Sequence, residues 1–164
     1  MFNLTGLCFV ILLLVPNLVF AYTHRDGFQN LYHNHTVESL EQIGRFGCFV
    51  LEFLEIPVLC RGELFPGGYT VYLTAGGTLV AFYLLGWVIY WKENSLRKSL
   101  VLSVLPSLLF LTSGLLTQNF PLLAFALLFA PCHIIISVKN AMASRLAPMP
   151  GQSDAKENET RDNP

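Results

Sequence analysis

The chain has 164 residues, of which 53% are hydrophobic and only 13% charged, with a net charge of −1. A soluble domain carries about a quarter charged residues, so this composition excludes a disordered chain and points away from a water-soluble globule. The charge balance also lacks the basic excess of a nucleic-acid binder, and no nucleic-acid partner is expected.

The spacing of the charges carries the architecture. Asp, Glu, Lys and Arg are absent from residues 1–23, 64–91 and 99–138. A hydrocarbon core about 30 Å thick needs about 20 apolar residues in a helix. The first two gaps each hold one span. The third holds two, joined by the polar turn Thr117-Gln118-Asn119-Phe120-Pro121.

The first span, about 2–21, ends in Val19-Phe20-Ala21, which is similar to a signal-peptidase site. No Lys or Arg precedes the apolar run, so a retained span is preferred over a cleaved leader. His33-Asn34-His35 follows it and looks like the start of a metal motif, but no third and fourth ligand stand at a matching spacing. These are read as solvated loop histidines, with no metal or cofactor indicated. Asn34-His35-Thr36 also fits a glycosylation sequon, a triplet frequent by chance.

Residues 36–58 decide how many helices there are. Thr36 is the expected N-cap, Glu38 lies in the first turn, and Pro57 marks the far end. Glu38, Glu41, Arg45, Cys48, Glu52 and Glu55 recur at steps of three and four and so share one helical face. Leu40, Ile43, Gly47, Val50, Leu51 and Leu54 occupy the opposite face. Such a helix can lie on the membrane with its stripe in water, or span with the stripe turned into a bundle. Spanning over about 40–58 is preferred, because Glu41 and Arg45 pair at i,i+4 and a mostly acidic stripe is repelled by anionic headgroups. Run antiparallel to the last span, this helix places Glu41, Arg45 and His133 at one depth. Glu52 lies deeper, near Thr112, where it finds a hydroxyl, water or backbone partner or stays protonated.

The remaining spans are expected at about 70–91, 99–117 and 121–139. Small residues suggest their packing faces: Gly77 and Ala81 on the first, Ser103, Ser107 and Gly114 on the second, Ala126, Ala130 and Ser137 on the third. His133 is the ionisable residue of the last span and follows Pro131. Lys92, Arg97, Lys98, Lys139 and Arg145 fall on one side of the membrane against Arg61 on the other, which makes the C-terminus cytoplasmic. The four cysteines contain no C-x-x-C pair, and no nucleophile or phosphate-loop motif is present.

The expected fold is therefore an all-α polytopic transmembrane helix bundle of five helices, with four spans plus one interfacial amphipathic helix as the alternative. It occupies residues 1–145, followed by a disordered cytoplasmic tail over 146–164. The layout resembles that of small bacterial membrane proteins, which places the chain in a bacterial cell membrane. An accessory or partner-binding membrane protein is the leading functional expectation. Its partners would be the bilayer and a membrane protein or a second copy. A small ion- or proton-coupled transporter using Glu41, Arg45, Glu52, Glu55 and His133 is the alternative, and a membrane enzyme ranks last. Five spans place residues 28–34 in the cytoplasm, whereas four place them outside. Cysteine accessibility across that segment in intact cells should therefore report protection from a membrane-impermeant reagent.

Overall fold

The computed structural model of the protein describes residues 2–23, 32–93 and 95–146. Five helices run through them in chain order: α1 Leu4–Thr23, α2 His35–Phe53, α3 Gly68–Ile89, α4 Leu96–Leu116 and α5 Phe120–Leu146. Consecutive helices are antiparallel, because their termini meet at one end of the bundle. There the Asn3 amide donates to the Phe53 carbonyl (2.8 Å), Leu64 donates to Leu116 (3.0 Å), and the Asn119 side chain reaches the Leu51 carbonyl (2.9 Å). This is called the Asn119 end below. The opposite end, where α4 begins, is the Lys98 end.

Helices α1, α3, α4 and α5 are each long and apolar enough to cross a membrane. Helix α2 falls outside that group because of its charged stripe, yet it packs against α1, α4 and α5. Its stripe faces the bundle: Glu41, Cys48 and Glu52 are buried, together with Gly44 and Leu51. Ile43, Phe46 (63% exposed) and Val50 point outward. A water-soluble bundle would show the reverse arrangement. Polar groups inside and apolar groups outside suit a bundle solvated by lipid.

The limits of α2 differ from the expected 40–58. Its N-cap is Asn34, in extended geometry, whose side chain accepts from the Val37 amide at 3.2 Å. Thr36 already lies inside the helix. The helix stops at Phe53, because Leu54 turns extended and bridges to Phe2. The last carbonyls of α2 are taken by Leu54, Asn119 and Asn3, so the end is closed well before Pro57. Glu55 therefore leaves the stripe and accepts instead from the Asn3 side chain at 3.2 Å. The last expected span, 121–139, is also extended: α5 continues past Lys139 to Leu146. The expected tail beyond that residue lies outside the described residues.

Close helix approach is set by glycines that differ partly from the expected faces. A Cβ on Gly44 would stand 2.9 Å from the Phe129 Cα, and one on Gly114 would stand 2.9 Å from the Leu123 amide nitrogen. Gly47 lies on the Phe125 ring and Gly76 on the Phe9 ring. Ala126, Ser103 and Ser107 are buried as a packing role requires, and Ala130 nearly so. Gly77 and Ala81 correct the expectation, because nothing lies within 4 Å of a Cβ on Gly77 and Ala81 is exposed. The inward face of α3 runs through Tyr72, Gly76, Val80, Tyr83 and Trp87, one residue to the side.

These two glycine classes separate by mutation. Gly44→Ala should destabilise the bundle by about 1–3 kcal/mol, since the neighbour is backbone that cannot step aside. Gly77→Ala should be neutral or slightly stabilising, since it adds helix propensity in open space. Thermal unfolding of both variants in one detergent checks the contrast.

Candidate functional site

The charged stripe of α2 meets α5 through one carboxylate. Glu41 is 2% exposed, and its Oε1 accepts from Arg45 Nε at 3.0 Å as well as from Arg45 Nη2. The same oxygen stands 2.8 Å from His133 Nδ1. The His133 ring stacks on Phe129, with centroids 4.6 Å apart and planes 20° from parallel. That contact fixes the imidazole, while Gly44 beside Phe129 lets α2 come close enough for the bond. Glu41, Arg45 and His133 are thus brought together from two helices.

Beside them, towards the Lys98 end, lies a chamber of about 210 Å³ walled by side chains from all five helices. Asn17 and Phe20 of α1, Arg45 of α2 and Trp87 of α3 line one side. Helix α4 supplies Lys98 and a row of serines, and α5 supplies His133 and Ser137. Asn17 is held by its own bonds to the Tyr83 hydroxyl (2.6 Å) and the Leu13 carbonyl (2.7 Å). Among the described residues no Asp or Glu lines this wall. A second, more open cavity lies on the other side of Arg45, lined by Glu38, Glu41 and Gln42. Arg45, Ile136 and Asn140 line both, so the guanidinium stands in the partition between an acidic vestibule and a basic chamber.

Glu52 sits at the opposite end. It is 2% exposed, and Tyr72 donates its hydroxyl to Oε1 at 3.3 Å. The Ser113 hydroxyl of α4 is a second hydrogen-bonding partner of this carboxyl. Glu55 lies near this end too, on Asn3, but outside the helix. The structure therefore separates Glu52 and Glu55 from the Glu41–Arg45–His133 group by most of the length of α2.

Two parts of this arrangement are not visible as sites in the sequence. Asn119 reads there as a turn residue. Folded, it is 2% exposed, its oxygen caps α5 at the Leu122 amide (3.1 Å) and its amide caps α2. Lys98 reads there as one of the topogenic charges. Folded, it is 7% exposed, with Nζ 4.1 Å from the centre of the Phe20 ring and 5.3 Å from that of Trp87. The available signal was its position three residues after Ser95, the N-cap whose hydroxyl accepts from the Lys98 amide.

Comparison with protein-family models, curated proteins and solved structures finds no match, so the functional reading rests on this geometry.

The Glu41–His133 bond should behave as a coupled pair. Glu41→Gln and His133→Ala together should cost less than the sum of the two single variants, with a coupling of about 1–2 kcal/mol. A double-mutant cycle on thermal or denaturant unfolding measures it, and strict additivity would mean that the contact carries no energy.

Proposed function

We propose that the chain is a small multi-pass membrane protein that binds a solute inside its bundle, in the manner of a carrier or transporter. The observation that supports this reading is the chamber of mixed polar and apolar lining to which all five helices contribute, set against a buried carboxylate–guanidinium–imidazole group. Intramembrane ionisable residues are costly, and their usual return is a substrate or ion pathway. Packing alone does not call for a void lined by Lys98, His133 and several serines. The basic residues Lys92, Arg97, Lys98, Lys139 and Arg145 gather at the chamber's end, which orients that end to the cytoplasm.

In this reading Arg45 is the movable element. Its side chain is partly exposed and separates chamber from vestibule, while Glu41 holds it in place. Glu41 also bonds His133, so a change in the imidazole's protonation alters the grip on Arg45. The pair would then couple occupancy of the chamber to a proton.

An accessory role is the second reading, favoured by the outward row of Ile43, Phe46 and Val50 on α2, which a partner helix could cover. A stability screen of the purified chain in nanodiscs separates the two. Under the binding reading at least one small solute should stabilise the wild type, by about 2.7 kcal/mol at a hundredfold excess over its Kd. Ser137→Leu, which narrows the chamber, should abolish that gain while keeping the fold. A wild type indifferent to anionic, neutral and cationic solutes alike would leave the accessory role.

A further inference from the structure

We propose that the chamber binds an oxyanion, a phosphate or carboxylate group either free or at the head of an acidic lipid, with Lys98 as its charge partner. This deepens the solute-binding reading and rests on it. Among the described residues the buried Lys98 Nζ has no hydrogen-bond partner, and Lys98 walls this chamber. A buried donor without an acceptor is costly, and a buried ammonium more so. The faces of Phe20 and Trp87 hold the ammonium in position but supply no acceptor.

The surrounding charges point the same way. Arg45 is matched by Glu41, whereas no ion pair among the described residues includes Lys98. Glu93 is the acid whose field reaches Lys98, but it is exposed and outside the chamber wall. Helix α4 begins here with Arg97 and Lys98 and has no acidic residue in its first turn. Cations at a helix N-terminus oppose the macrodipole, and an anion placed there relieves both. Serine hydroxyls from α4 and α5 on the same wall provide neutral donors. A cationic ligand would meet Lys98 and Arg45, with no carboxylate among the described wall residues to receive it. The volume, about 210 Å³, is far above the roughly 10–15 Å³ that one water needs, so an anion fits with part of its hydration or with the start of a chain.

The test uses the full chain in nanodiscs of phosphatidylcholine. One arm titrates sodium phosphate against sodium chloride at equal ionic strength. The other replaces part of the lipid with phosphatidic acid. Each arm reads thermal unfolding and the rate at which acetic anhydride acetylates Lys98, followed by mass spectrometry. Stabilisation and protection by phosphate identify a free anion, and the same effects with phosphatidic acid alone identify a headgroup. Lys98→Gln should weaken binding about ten- to hundredfold, as loss of a charge-assisted hydrogen bond does, while Lys98→Arg should largely retain it. The acetylation readout needs only the wild type, so it holds if Lys98→Gln does not fold. If neutral or cationic solutes stabilise the protein through the chamber while phosphate and phosphatidic acid neither stabilise it nor protect Lys98, the oxyanion assignment is overturned and solute binding stands. If nothing acts on the wild type in either arm or in the solute screen, both fall.

Discussion

The buried carboxylate of Glu41 sets the terms for the helices around it. A carboxylate is kept ionised at 2% exposure by charged or strongly donating partners, and here these are Arg45 one turn along α2 and His133 across on α5. To supply both, α2 has to turn its charged face inward, which leaves Ile43, Phe46 and Val50 outward. That outward face is tolerable in lipid and unfavourable in water. The bond to His133 also demands close contact between α2 and α5, and Gly44 and Gly47 provide it where any Cβ would strike Phe129 or Phe125. One ion group thus dictates the orientation, the solvent and the spacing of a helix whose hydropathy alone would not have placed it in the bundle.

The two ends of the bundle solve different problems. At the Asn119 end, backbone groups that helices leave open are closed by side chains and by neighbouring strand-like segments. Asn119 caps α5 and α2 at once, Asn3 takes the Phe53 carbonyl, and residues 60–64 pair with the turn between α4 and α5. Such a network fixes the relative heights of four helices. At the Lys98 end the polar groups line a void instead of capping one another. The buried ammonium without an acceptor, on Lys98, lies at the hollow end.

Much of this was legible in the residue order. Long gaps between charges locate four helices to within a few residues at every end but the last, where α5 runs on to Leu146, because lipid tolerates few charges and every span has to fill the same thickness. The three- and four-residue steps of the α2 stripe, combined with depth matching along antiparallel helices, place Glu41, Arg45 and His133 at one level. The failures have local causes. Gly77 and Gly76 are adjacent, so a hundred-degree rotation of α3 decides which one packs, and uniformly apolar α3 carries no pattern to fix that rotation. The end of α2 is determined by Asn3 and Asn119, which are distant in sequence and invisible to any propensity. Lys98 was hidden behind a sufficient explanation, since a lysine read from sequence as part of a short basic loop needs no other reason to be there.

Arg45 and Lys98 show how position divides two nominally similar cations. The Arg45 guanidinium offers several donors in a plane, two of which reach one Glu41 oxygen, so its charge is answered within the fold. The Lys98 ammonium is a compact point charge set against two aromatic faces and beyond hydrogen-bonding reach of any described acceptor. Both face the same chamber, but one arrives neutralised and the other does not. The chamber's net field therefore comes chiefly from Lys98 and from the start of α4, both at the same end. Helix α4 in turn is positioned by the closed end, through Gly114 against Leu123 and Leu64 on the Leu116 carbonyl. The uncompensated charge is thus positioned by two aromatic faces beside it and by helix contacts about 24–27 Å away along α4, at Gly114 and Leu116.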